Sequence, residues 1–207
     1  MSIVKLNNRG IKNATAIGSI TGLGSMIFIK KLTASSSATL SFVDGSSSVV
    51  LDNTYKEYLF TFNNMHPATN QVYFQFNISV DSGSNYNVAK TTTFFQAYNT
   101  EDGTDQGLSY QTARDLAQAT GAQYLTRQIG NGNDDVGTGY LHLFNPSSTT
   151  FVKHFIAVSS NNYGGDTYYM NNFIDGYGNT TSAVDAVQFS MSSGNIDAGT
   201  VQLFGVN

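Results

Sequence analysis

The run Gln71-Val72-Tyr73-Phe74-Gln75-Phe76-Asn77-Ile78-Ser79-Val80 decides the fold class. Val72, Phe74, Phe76, Ile78 and Val80 recur at every second position, with Tyr73, Gln75, Asn77 and Ser79 between them. Successive strand residues point to opposite faces, whereas a helix gathers every third or fourth residue. Five apolar residues at period two therefore form one buried face of a β-strand and leave a helix without a coherent side.

The same alternation spreads outward. In residues 57–63, Tyr58, Phe60 and Phe62 share one face while Glu57, Leu59 and Thr61 share the other. Further strand-like runs occupy residues 26–32, 38–42, 91–98, 140–144, 150–159, 167–174, 186–191 and 200–205. Turn formers such as Asp44-Gly45 separate them, and Pro67 and Pro146 fall where a strand is ending, as expected of residues with no N–H for a ladder. About ten short strands at this spacing predict an all-β fold, an antiparallel β-sandwich of jelly-roll-like kind. Asn145-Pro146-Ser147-Ser148 reads as a hairpin link. Only residues 105–121 hint at helix, with Ala113, Leu116, Ala117 and Ala119 close together and Gly121 as a stop. No strand–helix–strand alternation is visible, which disfavours a parallel sheet with a nucleotide crevice.

Residues 1–24 lack a sustained period and read as an extended N-terminal arm; residues 25–207 form the sandwich domain. The arm has two readings, a poorly ordered terminus and a segment that orders by docking on a neighbouring subunit; Ile3, Val4, Leu6, Ile11, Ile17 and Ile20, an unusual load for a permanently solvated tail, speak for the second.

The composition excludes several classes of function. The chain has 207 residues with 10 Lys plus Arg against 14 Asp plus Glu, a formal charge of −4. Charged residues are 12% of the chain, about half the usual share. Nucleic-acid binding needs clustered cations to release counterions from phosphates, and Lys30-Lys31 is the densest basic run, so no nucleic-acid partner is expected. With no cysteine, there is no disulfide framework, thiolate metal site or thiol nucleophile. The apolar run 26–29 is too short to cross a bilayer, and no membrane insertion is expected.

Candidate chemistry is sparse. His66, His142 and His154 sit at no close metal-ligand spacing, and His142 and His154 read as half-exposed strand residues. No Gly-x-Ser-x-Gly elbow surrounds any serine. Asp and Glu cluster in loops (Glu101, Asp102 and Asp105; Asp134 and Asp135), where Asn, Asp and Gly are ordinary turn residues. The segment Gly130-Asn131-Gly132-Asn133-Asp134-Asp135 lacks the order of an EF-hand calcium loop. These features assign no catalytic residue, no cofactor and no metal ligand. Tyrosine supplies the one binding signal: Tyr163, Tyr168, Tyr169 and Tyr177 among amides that include Asn171. Rings that stack on sugars, with amides that bond hydroxyls, make a contact surface for host glycan; the competing reading is an aromatic core or intersubunit interface.

Several stretches carry a family likeness. Tyr55-Lys56-Glu57-Tyr58-Leu59-Phe60-Thr61-Phe62 with the following Asn63-Asn64-Met65-His66-Pro67, then Ser84-Asn85-Tyr86-Asn87-Val88, Thr91-Thr92-Thr93-Phe94-Phe95, Phe144-Asn145-Pro146-Ser147-Ser148, and Met191-Ser192-Ser193-Gly194-Asn195 onward to Val206 resemble virion structural proteins of marine and cyanobacterial tailed bacteriophages. The resemblance spans nearly the whole chain and implies no active site. It implies a sandwich mounted on capsid or tail, assembled in the host cytoplasm without disulfides, whose partners are other virion proteins and its own copies. A homo-oligomer is expected, a trimer first. Its implied role is a capsid decoration, cement or head-fibre subunit docked by the arm; the alternative is a tail-fibre or receptor-binding adhesin for host surface glycan.

Overall fold

The computed structural model describes residues 26–163 and 168–207. The arm expected over residues 1–24 lies outside the described residues. Twelve strands follow in chain order: β1 (Met26–Thr33), β2 (Thr39–Val43), β3 (Glu57–Pro67), β4 (Phe74–Ser79), β5 (Lys90–Thr100), β6 (Gln106–Tyr110), β7 (Gln123–Tyr124), β8 (Gly137–Phe144), β9 (Lys153–Asn162), β10 (Tyr168–Gly178), β11 (Ala186–Met191) and β12 (Ile196–Val206). No helix occurs among the described residues.

All pairings are antiparallel, in an eight-stranded sheet of order β1-β12-β3-β8-β9-β10-β5-β6 and a four-stranded sheet of order β2-β11-β4-β7. The chain is all-β and forms an antiparallel sandwich. Only β5–β6, β8–β9 and β9–β10 are joined within a sheet; every other connection crosses to the opposite sheet. The β8–β9 hairpin turns at Asn145–Ser148, closed by the Ser148 N–H donating to the Asn145 carbonyl (3.1 Å).

Alternation decides which residues enter the core. Tyr58, Phe60 and Phe62 of β3 are buried, as are Phe74, Phe76 and Ile78 of β4 and Val72 just before it; Val80, one residue past β4, is exposed. Aromatic pairs join the layers: Phe60 of one sheet meets Phe42 and Phe189 of the other at 5.4 and 5.5 Å, Phe62 meets Phe74 at 5.1 Å, and Phe76 meets Phe155 edge-on at 5.0 Å. Such contacts add to the ordinary gain from burial. Where β3 and β12 run side by side they deform together: Asn64 has φ 52° and Gly199 φ 122°. A Cβ on Gly199 would stand 2.6 Å from the Asn64 carbonyl oxygen, so this bulge admits glycine alone.

The helix hinted at over residues 105–121 is not formed. Gln106–Tyr110 is β6, paired with β5, and the following residues continue along the same β5 edge. The Gln111 N–H donates to Phe94 O (2.8 Å), the Thr92 N–H to Leu116 O (2.9 Å) and the Lys90 N–H to Ala119 O (2.8 Å). A helix of three turns is marginal without a face to bury, and unpaired donors on a sheet edge supply a better alternative.

The unequal sheets matter for function. Four strands cover only part of the inner face of eight. The segment 111–127, which contains β7, completes the cover: Thr92 Oγ1 donates to Gln123 Oε1 (2.6 Å), Ser159 Oγ to Leu125 O (2.5 Å), and the Arg127 N–H to Asn161 Oδ1 (3.2 Å). Under β2, β11 and β4 the interior is aromatic. Under residues 111–127 it is polar, with Thr92, Gln96, Ser159, Asn161 and Asn172 all buried.

Candidate functional site

Two surfaces stand apart from ordinary sandwich chemistry. The first is the outer face of the eight-stranded sheet. Cross-strand partners lie side by side on one face, so the register reads directly as rows. One row runs Phe28, Phe204, Leu59, His142, Ile156, Asp175, Thr93 across β1, β12, β3, β8, β9, β10 and β5. The next runs Thr61, Tyr140, Val158, Phe173, Phe95, Tyr110 from β3 to β6. Phe95 and Phe173 stack with centroids 4.9 Å apart. Phe28, Phe95, Leu108, Tyr110, Tyr140, Ile156 and Tyr169 are all exposed, Leu108 at 78%.

Two carboxylates stand on this face. Glu57 Oε2 lies 3.0 Å from His142 Nε2, and Asp175 Oδ1 accepts a hydrogen bond from Thr93 Oγ1. A groove of about 380 Å³ opens between Phe144, His154, Ile156 and Tyr177. A wide apolar sheet face with few free charges is the chemistry of a protein contact surface, since solvated faces of antiparallel sheets ordinarily alternate to polar residues.

The second surface lies on the inner side, at the end of β5 and β10 that the small sheet does not reach. Gln96, Tyr98, Asp105, Arg127, Tyr163, Tyr168 and Met170 line a cavity of about 260 Å³. Tyr98 and Tyr168 are 5.8 Å apart by ring centroid, and Tyr163 meets Tyr168 edge-on at 6.5 Å. Tyr168 Oη donates to Asp105 Oδ2 (3.0 Å), and the Arg127 guanidinium stands 5.1 Å from the Tyr163 ring centre. Burial lowers the Arg127 pKa, with the nearby Arg114 charge adding to the effect. Gln96 is 4% exposed and Asn172, its cross-strand partner, is fully buried; Gln96 Oε1, Asn172 Oδ1 and Arg127 Nε all lack a hydrogen-bond partner.

The tyrosine cluster read from the sequence is thereby divided. Tyr163 and Tyr168 meet at the inner cavity, while Tyr169, Asn171 and Tyr177 belong to the outer face, at register positions opposite Asn99, Ala97 and Thr91 of β5. Tyr177 packs 5.8 Å from His154. Tyr98, Gln96 and Arg127 were absent from the sequence reading. Polar residues at inward positions of a strand are their signal, and it can be used only once the inward face of β5 is known.

The histidines take structural places: the Nε2 of His66 is 3.0 Å from Gly132 O, His142 Nε2 lies 3.0 Å from Glu57 Oε2, and His154 is exposed on β9. Among the described residues no three metal-ligating side chains come together. No family model, no curated protein and no solved structure matches this chain.

Proposed function

We propose that this chain is a non-enzymatic structural subunit of a tailed-bacteriophage virion, a capsid decoration, cement or head-fibre protein, that assembles by covering the outer face of its eight-stranded sheet with further copies of itself. The observation that carries this reading is the exposed apolar face built on Phe28, Tyr140, Ile156 and Phe95. Eight strands at about 4.8 Å spacing make it about 34 Å wide, and the span from Tyr169 to Tyr177 is about 27 Å at about 3.4 Å per residue. That area of about 900 Å² matches the roughly 800 Å² each partner contributes to a standard stable interface.

The occupant assigned is a second copy, because the face is mainly apolar; its carboxylates Glu57 and Asp175 stand beside His142 and Thr93. The virion setting, with assembly in the host cytoplasm and a trimer as the first expected state, rests on the family resemblance of the sequence.

The test uses particles assembled without this protein. Purified full-length chain is expected to join them in a fixed symmetric copy number, and a chain lacking residues 1–24 is expected to fail. Full-length chain that stays in solution contradicts the virion role; undiminished joining by the shortened chain contradicts docking through that segment.

A further inference from the structure

The inner cavity lies on the opposite side of the large sheet from the proposed assembly surface, and its chemistry is different. We infer that the cavity between Tyr98, Tyr163 and Tyr168 binds a single pyranose ring, with Gln96 and Arg127 bonding its hydroxyls. This goes beyond the structural role and does not depend on it.

Three observations support the assignment. The first is size. At about 260 Å³ the cavity falls just below the range of about 300–1,000 Å³ typical of small-molecule pockets, which suits one ring rather than a larger ligand. The second is its wall: three tyrosines, each half-buried, surround the space, and two of their ring pairs stand at 5.8 and 6.5 Å. Half-buried rings offer apolar faces to the C–H groups of a sugar while their hydroxyls stay wet.

The third is unused hydrogen-bonding capacity. Gln96 Oε1 and Arg127 Nε are an acceptor and a donor, both in the lining, both buried, and both without partners; Asn172 Oδ1 is a further unpaired acceptor next to Gln96 in the register. A buried polar atom left unpaired is costly in a folded protein and rare. Asp105, held by Tyr168 Oη, supplies a second acceptor at the rim.

A ligand of about a dozen heavy atoms at ordinary efficiency binds with a dissociation constant on the order of 1 mM. The probes are methyl glucoside, methyl galactoside, methyl mannoside and methyl N-acetylglucosaminide, each titrated into the full chain and read by saturation-transfer NMR and by shifts of the tyrosine ring signals. At least one is expected to receive saturation and to move the rings of Tyr98, Tyr163 and Tyr168. Gln96→Leu and Tyr98→Ala are each expected to weaken binding tenfold or more. Gln96→Leu is expected to melt no lower than the parent, since it removes an unpaired carbonyl. Oligosaccharides ending in the selected ring then separate a glycan terminus from a free sugar: tighter binding of the oligosaccharide identifies the glycan as the source, and equal binding identifies the free sugar. Failure of all four glycosides to bind overturns the assignment. So does binding that leaves the three tyrosine rings unshifted, a readout that needs no variant.

Discussion

Raising the pH from 7 to 10 is expected to stabilise this protein, against the usual trend of a fold losing stability in alkali. Lys90 is fully buried on the inner side of β5. Its Nζ donates to Asn77 Oδ1 (2.5 Å) and to Val88 O (2.9 Å), and among the described residues it has no carboxylate at salt-bridge distance. Burial therefore pushes its pKa from 10.5 down to about 8. The unfolded chain keeps the proton up to its ordinary value while the folded chain releases it near 8. Between those values the unfolded state binds more protons, so stability rises with pH. At about 1.4 kcal/mol per pH unit the whole displacement is worth about 3 kcal/mol, most of it gained by pH 10. Lys153, also fully buried and lowered by burial, acts in the same direction.

Tyr58 closes the window. Its hydroxyl donates to Asp52 O (2.8 Å) inside the core, and burial raises its pKa to about 12. The unfolded phenol ionises near 10 while the folded one stays neutral, so stability falls above pH 10. The expected curve is a maximum near pH 10. The assay is urea unfolding at a series of pH values. With a slope of roughly 2 kcal/mol/M the midpoint should climb by about 1 M between pH 7 and 10, then decline. Lys90→Met should remove most of that climb. A midpoint that is flat or falling from pH 7 to 10, or an undiminished climb in Lys90→Met, refutes the reasoning.

Other outcomes follow from the same geometry. Phe189 is fully buried and touches Phe42, Phe60, Phe74 and Phe76, so Phe189→Ala is expected to cost about 3–5 kcal/mol in chemical denaturation, whereas Phe151→Ala, at an exposed ring, should change little. Asp81 is held at about 2 by hydrogen bonds from Ser79 and Asn85, so its contribution is complete above about pH 4 and is lost as the pH falls through 2. Asp81→Asn should flatten that acid limb in a melting series from pH 5 to 2 and leave alkaline behaviour unchanged. An unaltered acid limb counts against this loop as a source of acid sensitivity.

The strands were legible wherever one face met the core and the other met water. β3 and β4 show this best, because Tyr58, Phe60, Phe62, Phe74, Phe76 and Ile78 alternate with polar or smaller residues and all become buried. The two strands missing from the sequence reading, β6 and β7, fail for separate reasons. In β6, Leu108 and Tyr110 are exposed and no residue is fully buried, so no apolar face marks it. The two-residue β7 is too short to carry a period. The alanines and leucine at 113–119 suggest a helix by local propensity, and the open edge of β5 overrides it.

The binding surfaces were less legible. Tyr168 and Tyr169 are neighbours in sequence, yet strand geometry sends one to the inner cavity and the other to the outer face. Alternation alone separates such a pair but does not say which side is inside. On β5 both candidate faces mix types, Thr92, Phe94, Gln96 and Tyr98 against Thr93, Phe95, Ala97 and Asn99, so the sequence offers no basis for choosing. The outer face is harder still. Its residues come from eight strands that are adjacent only through the register, and an apolar residue bound for a partner looks like one bound for the core.

The most direct measurement is the solution mass of the full chain against that of a Phe95→Glu, Ile156→Glu double variant, by sedimentation over a wide concentration range. Both positions are exposed, at 42% and 47%, so the variant should keep its fold. The account predicts a defined oligomer for the parent and a 22.3 kDa monomer for the variant. A parent that stays monomeric throughout, or a variant that assembles equally well, contradicts assembly through the outer sheet face.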